Sequence, residues 1–524
     1  MDAETQIKIN SSIYTYLLEK RILPEKLRRD PEELLCRIRD LASFAWSNHP
    51  GFFADGRLEN LLLSMAEEVD PEIANLEILS ELDQVEVAKP EKTILLVASY
   101  LYEAGGHAKV VEKIIEEYSG FRLILVITQQ EESLPDAFEA MRREGALETL
   151  NLSPCGSTME KASTLRAIAR FVNLAILFPH PNDPVPVLAF GTKDNPPVLF
   201  DNHTHFFFWL GPSVSDVIIS HATYMCEMSR SRRFAARTFF LPIRYSRYLR
   251  QLHDPVDKES AKSSLDVPSG DLCLLSIVLG STVFTSYGEQ NFFSTAGEIV
   301  RRYPQVHLFL IGLDEEHELA QRYLPLETRR VHCLGIVPDP LVYYQAADIY
   351  LDAYPYPSMG GLVEAITYGE AAPLLFHGSH RGLLNSGNIF ESDLDLNPAD
   401  SDDYFARLNE LVHDSQKRRS IVSILKGEQQ EVESRLQSIV RELYEENKSL
   451  SHSVRPLPHS SPDFQDDDLR VAAMTQHKGY GAVMKFLAGT ALMGRAFSLS
   501  TLRSRFYIYG VFIRLVALGG RGRA

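Results

Sequence analysis

The chain has 524 residues, 45% of them hydrophobic and 23% charged, which excludes a mostly disordered polypeptide and leaves room for two to four domains. Its 53 Lys and Arg against 70 Asp and Glu give a formal charge of −17, which excludes a general nucleic-acid binder with a basic footprint. The acidity is uneven: residues 469–524 hold nine Lys or Arg and no Asp or Glu, so tail and body suit different partners. Five cysteines (Cys36, Cys155, Cys226, Cys273, Cys333) form no C-x-x-C pair, so neither a zinc cluster nor a disulfide framework is expected. Their usage fits a reducing compartment. Met1-Asp2-Ala3-Glu4 opens no signal-peptide pattern, and no run of 18 uncharged apolar residues follows. The expected location is cytoplasmic, or peripheral at the cytoplasmic face of a membrane.

Residues 1–90 read as a helical accessory region. Asp30 can cap a helix that opens at Pro31, with Glu33 closing a capping box. Leu34, Leu35, Ile38, Leu41 and Ala42 then follow at helical spacing, and Asp70-Pro71-Glu72 is a second start. At Thr93 the pattern changes. Ile94-Leu95-Leu96-Val97-Ala98 suits a strand buried on both faces. A glycine turn, a helix over 105–117 and a second apolar run at 123–127 complete a βαβ unit. Further apolar runs lie at 174–178, 198–200 and 217–219, so 91–255 reads as one Rossmann-like domain.

A second alternation follows the polar stretch 254–271. Strands are predicted at 272–278, 306–311, 331–334, 349–351 and 373–376, with a helix over 290–303 and more helix over 402–447. Residues 256–450 therefore read as a second Rossmann-like domain, 451–468 as a polar linker and 469–524 as a basic amphipathic tail. Loops at the carboxyl ends of the strands in two such units converge on a shared cleft.

Three constellations fall on such loops. Gly105 and Gly106 follow the first strand, permit close approach of a ligand and lead into a helix start that favours anions. His107 beside them suits a base or a phosphate contact; the plainer reading is a solvated side chain in a strand-to-helix turn. Asp201-Asn202-His203-Thr204-His205 directly follows an apolar run. His203 and His205 share a face if extended, but no third ligand is spaced for a metal. Cleft residues on the acceptor side, or a structural histidine network, fit better. The most specific stretch is Ser358-Met359-Gly360-Gly361-Leu362, whose amides at a helix start suit a diphosphate. Glu364 one turn later could accept from ribose hydroxyls, or complement the helix dipole as a first-turn acid.

Residues 93–450 resemble the GT-B glycosyltransferases. The resemblance rests on Gly105-Gly106-His107, on Leu310-Ile311-Gly312, and on Cys333-Leu334-Gly335-Ile336-Val337 with Tyr344 and Ala347-Asp348-Ile349 beyond. It rests most on Gly360-Gly361 with Glu364-Ala365, then Gly369 and Pro373. It implies two Rossmann-like domains and a nucleoside diphosphate sugar, UDP-linked by preference, as co-substrate with no cofactor or metal. Gly335, Ile336 and Val337 would hold the base, Glu364 the ribose, and Ser358 to Leu362 the diphosphate. His107 would be catalytic, with Gly105, Gly106, His203 and His205 on the acceptor side. The acceptor would be a glycan, a lipid-linked intermediate or a protein.

Two positions depart from the family pattern. Tyr356 stands where many retaining members carry a second Glu. Residues 280–289, where many members place a diphosphate-neutralising Lys or Arg, hold none. These departures motivate an alternative: a catalytically inactive nucleotide-sugar-binding or scaffold subunit. Arg230, Arg244 and Arg381 are candidate substitutes for that cation elsewhere in the chain. In the tail, 480–497 and 506–518 are amphipathic, suiting an anionic membrane surface, packing against the body, or an oligomer contact.

Overall fold

The computed structural model describes residues 3–24, 28–70, 92–102, 106–118, 120–205, 207–242, 256–278, 291–354, 357–376, 390 and 394–460. The tail 469–524, Gly105, the loop 280–289, Tyr356, Arg244, Arg381 and Pro71-Glu72 of the second helix-start signal lie outside them.

Two all-parallel sheets organise the chain. The first has seven strands: β1 (Thr93–Ala98), β2 (Arg122–Ile127), β3 (Glu148–Asn151), β4 (Leu174–Phe178), β5 (Val198–Asp201), β6 (Val217–Ser220) and β7 (Thr238–Phe240). The second has five: β8 (Leu272–Ile277), β9 (Val306–Ile311), β10 (Val331–Cys333), β11 (Ile349–Leu351) and β12 (Ala372–Leu374). Their orders are 3-2-1-4-5-6-7 and 10-9-8-11-12, so the direction of winding reverses beside β1 and beside β8. Ligands of doubly wound sheets bind at such switch points, outside the carboxyl ends of the strands.

The apolar runs become central strands because helices cover both sheet faces. Along β1, Leu95 and Val97 join one core while Ile94, Leu96 and Ala98 join the opposite one. Residues of β8 alternate in the same way, with Leu272 and Leu274 on one side and Cys273 and Leu275 on the other.

The amino-terminal helices are Ala3–Arg21, Pro31–Ser47 and Gly56–Ala66; the second starts where its capping signal predicts, with Asp30 accepting from the Glu33 amide at 3.0 Å. Glu33 does not turn back to close the box; its carboxylate pairs with Arg37. These helices do not make a separate accessory unit. Leu18, Leu41 and Leu62 share one continuous core with Leu95, Val97 and Ala175 of the first sheet. Two buried polar ties reinforce it. The Glu32 carboxylate accepts from the amides of Thr158 and Met159 at 3.0 and 2.8 Å, and Glu59 accepts from the Gly211 amide at 2.8 Å.

The chain leaves the second lobe and comes back. The helix Ser415–Asn447 buries Val422 and Leu425 in the second lobe, then Leu436, Val440, Leu443 and Tyr444 against the first. Residues 451–460, expected as the start of a free linker, are a strap across the first lobe. His452 Nδ1 meets Asp216 Oδ2 at 2.8 Å, Ser453 donates to the same carboxylate, and Arg455 donates to the carbonyls of Phe234, Pro212 and Ser215. Leu457 exchanges hydrogen bonds with Asn60. A plain polar composition hides this role, because the strap is held by its backbone and by partners over 200 residues away. Among the described residues no helix is long and apolar enough to cross a membrane.

Candidate active site between the two lobes

On the first lobe, polar side chains gather at the carboxyl ends of β1, β4 and β5. Residue 99 ends β1, and Ser99 Oγ donates to Asp183 at 2.6 Å and accepts from the His180 amide at 2.8 Å. Thr128, after β2, donates to the same carboxylate. The helix Gly106–Glu117 places His107 in its first turn, with Gly106 exposed at its start. The His107 ring stacks on His203, with centroids 3.9 Å apart and planes 17° from parallel. His203 Nδ1 lies 3.6 Å from Asp201 Oδ2, and Asp201 Oδ1 pairs with His221 Nε2 at 2.8 Å. The other His221 nitrogen meets the Leu241 carbonyl at 2.8 Å. His205 is directed away, its ring on the Tyr224 hydroxyl at 2.8 Å and its carbonyl accepting from Arg233.

This arrangement separates the histidines electrically. Burial, and then the neighbouring His203, hold His107 well below the ordinary imidazole range. Burial lowers His180 and His205 too. Burial also pulls on His221, but Asp201 outweighs it and raises the pair's imidazole. For Asp201, burial is outweighed by His221 and His203, which hold the carboxyl below its usual range. His107 is therefore neutral at neutral pH, and its buried Nε2 has no hydrogen-bond partner among the described residues.

On the second lobe, the helix Met359–Gly369 follows β11 with Ser358 at its cap. Among the described residues no side chain caps its first amides, so Met359, Gly360 and Gly361 open the helix toward the switch point beside β8, whereas the Leu362 amide, expected to be free, donates to the Ser358 carbonyl at 3.0 Å. Gly361 is required by closeness: a Cβ there would lie 2.6 Å from Ile277 Cγ1 and 2.7 Å from the Tyr350 hydroxyl. Glu364, only 4% exposed, accepts from the Tyr344 hydroxyl at 2.6 Å. Its other oxygen is held by Lys109 of the first lobe. After β10, Gly335 adopts φ +61°, where a side chain would strain the backbone and meet Asp314 at 2.7 Å. The Gly335 carbonyl accepts from the Gly312 amide at 2.6 Å, locking two glycine turns together. That lock presents Ile336 at 79% exposure and leaves Val337 half-buried beside it.

The structure thus brings His107 and His203 together, while Lys109, two residues further along the same helix, reaches Glu364 of the second lobe. His205 does not join them. Arg230 is an exposed side chain 3.6 Å from Glu227. Sequence reasoning missed Lys109, His221 and the Ser99–Asp183 pair, and named Asp201 and Tyr344 within longer motifs without giving either a role of its own. The run His180-Pro181-Asn182-Asp183 after an apolar strand was a signal for part of this. Nothing local marks Lys109, whose partner is 255 residues away.

No protein-family model matches the chain, and no curated protein matches it. Among solved structures, a glycosyltransferase from Rickettsia africae is similar with a TM-score of 0.51 at 12% identity, covering 68% of this chain and 98% of that one. The chain has the GT-B fold. Also similar are a Thermobaculum terrenum O-GlcNAc transferase mutant (TM-score 0.47, 14% identity, 90% of this chain and 83% of that one) and Anabaena HepE in complex with UDP and glucose (0.48, 14%, 69% and 100%). Within the GT-B fold the two sheets are its two lobes, and the helix Ser415–Asn447 is the element that returns from the second lobe to the first.

Proposed function

We propose that this GT-B chain is a glycosyltransferase. It moves a hexose or N-acetylhexosamine from a nucleoside diphosphate sugar, UDP-linked by preference, to an acceptor hydroxyl on a glycan, a lipid-linked intermediate or a protein. The observation that carries the reading is the Glu364 carboxylate. It is buried in the first turns of a helix whose leading amides no described side chain caps, fixed by Tyr344, and met by Lys109 of the helix that carries His107.

Each part has a chemical task. Exposed Ile336 and half-buried Val337 offer an apolar ledge for a base, beside backbone groups ordered by Gly335. Glu364 accepts from the ribose diol. The amides of Ser358 to Gly361 face a diphosphate with the positive end of their helix, so charge developing on the leaving group needs no divalent ion. His107 Nε2, neutral and unpaired, takes the proton of the attacking hydroxyl, while His203 and the Asp201–His221 pair hold its ring in place.

A thermal-shift panel of UDP, GDP, ADP, TDP and CMP with their common sugars tests the reading. A nucleotide at about 100 times its Kd stabilises the fold by roughly 2.7 kcal/mol. The expected outcome is a shift with one nucleotide that Glu364→Ala abolishes. An absence of shift with every nucleotide would overturn the donor site. Turnover of the sugar by the unaltered chain, in the presence of water or acceptor, separates a transferase from a binding subunit.

A further inference from the structure

Lys109 belongs to the first lobe, yet its ammonium is seated on the second. It meets Glu364 Oε1, while Tyr344 holds Oε2. The Glu364 side chain is 5% exposed and that of Lys109 26%, so the pair lies largely out of water. Leaving either charge alone there would be costly, because a half-buried ion without its partner keeps its desolvation penalty.

This inference rests on the nucleotide-sugar reading. A ribose diol that donates to Glu364 needs the oxygen now held by Lys109. Binding therefore displaces the ammonium. The displaced charge has an anion at hand, since the diphosphate of a nucleotide hangs from its ribose by a single methylene. The same binding event supplies hydroxyls to Glu364 and an anion to Lys109, so no buried charge is stranded. Meanwhile residues 279–290, following β8, contain no Lys or Arg.

The helix itself need not move for this exchange. One turn beyond Lys109, Lys113 is pinned to Glu433 of the long returning helix at 2.7 Å and to Glu117 at 2.8 Å. That anchorage keeps the backbone of the helix Gly106–Glu117 in place while a flexible four-carbon side chain swings. We propose that Lys109 is the cation that neutralises the donor's diphosphate, delivered from the first lobe and parked on Glu364 until the nucleotide sugar enters.

Titration calorimetry of the full chain with uridine and UDP tests this, using Lys109→Met, Lys109→Gln and Lys109→Arg. For another base selected by the panel, its nucleoside and diphosphate replace these. Losing one charge-assisted contact should weaken UDP roughly tenfold or more in the Met and Gln variants. Uridine, which carries no phosphate, should bind as well as before or better, because its competitor for Glu364 is gone. Lys109→Arg should keep the preference for UDP over uridine. UDP binding should also become less sensitive to salt in the two uncharged variants. Equal tightening of uridine and UDP would overturn the proposal, since Lys109 would then be only a latch between lobes. Unchanged UDP affinity would overturn it as well. No binding of any nucleotide to the unaltered chain would overturn the function reading together with this inference. Melting curves identify a variant that fails to fold, and the second uncharged variant then gives the measurement.

Discussion

At the scale of single residues, the site works by holding titratable groups in unequal surroundings. His107 is kept neutral by burial, and Asp201 is kept ionised against His221. If His107 takes the acceptor's proton, kcat/KM rises with pH along a limb lying below about pH 6.5 and is flat at neutrality. Replacement by Asn should cost roughly 100-fold or more in turnover and leave the nucleotide-induced thermal shift intact. Stability has its own pH signature. The folded-state values of His107, His180 and His205 are lowered, so below about pH 6.5 the unfolded chain binds more protons than the folded one. The melting temperature should therefore fall as pH drops from 7 toward 5. His221, whose value is raised, contributes in the opposite sense: its stabilisation is complete below about pH 6.5 and is lost as pH rises through the folded value. Asp201→Asn should remove that second dependence, and a set of melts between pH 5 and 9 would show both. Of these residues the sequence marked His107 and His203 by their place after apolar runs. It could not mark the Asp201–His221 pairing, because a side-chain contact between two strands has no local signature.

At the scale of elements, ten of the strands were readable as apolar runs, nine of them largely buried and the tenth, the outer strand β10, only partly covered. The two that escaped, β3 and β7, are the outer strands of the first sheet. Glu148-Thr149-Leu150-Asn151 and Thr238-Phe239-Phe240 are short and half-covered, so they lack the continuous apolar signal of a central strand. Helix starts were legible from their caps, whereas the helix that carries the candidate donor site is positioned by what glycine omits. At Gly369 an added Cβ would lie 1.7 Å from the Tyr344 carbonyl oxygen, so the helix Met359–Gly369 can approach the helix Leu341–Ala346 only through a bare Cα. Gly369→Ala should push the two helices apart, cost roughly 1–3 kcal/mol or more, and weaken nucleotide binding by parting Tyr344 from Glu364. Gly427→Ala is the matched control. That residue is exposed inside a helix with nothing within 4 Å of the added carbon. Replacing it should raise stability by up to about 1 kcal/mol. Chemical denaturation of both variants would check the contrast.

At the scale of the whole molecule, composition and alternation of strand and helix were enough to place two doubly wound sheets. They were not enough to place the boundaries. The expected division into accessory region, two lobes and linker follows changes in local pattern, but the packing ignores those changes. The amino-terminal helices are part of the first lobe's core, and residues 451–460 are part of its surface. The His452–Asp216 contact is buried, and Asp216 is held below the usual carboxyl range: burial raises it, but the bonds from His452, Val198 and Ser453 outweigh that. Two shortened chains would weigh this strap. One ending after Ser460 keeps every one of these contacts, and one ending after Leu450 loses them. The second should melt several degrees below the first, since removing a partner of a buried pair costs roughly 3–5 kcal/mol.

The returning helix and strap also impose an order on biosynthesis. Domains usually fold as they leave the ribosome, the amino-terminal one first. Here the first lobe cannot cover Ile114, Tyr118 and the neighbouring face of its sheet until Leu436, Val440 and Tyr444 have been made. It therefore waits, with an apolar flank open, through the synthesis of the entire second lobe. That interval is where a chaperone would find this chain, and where a premature stop would do the most harm.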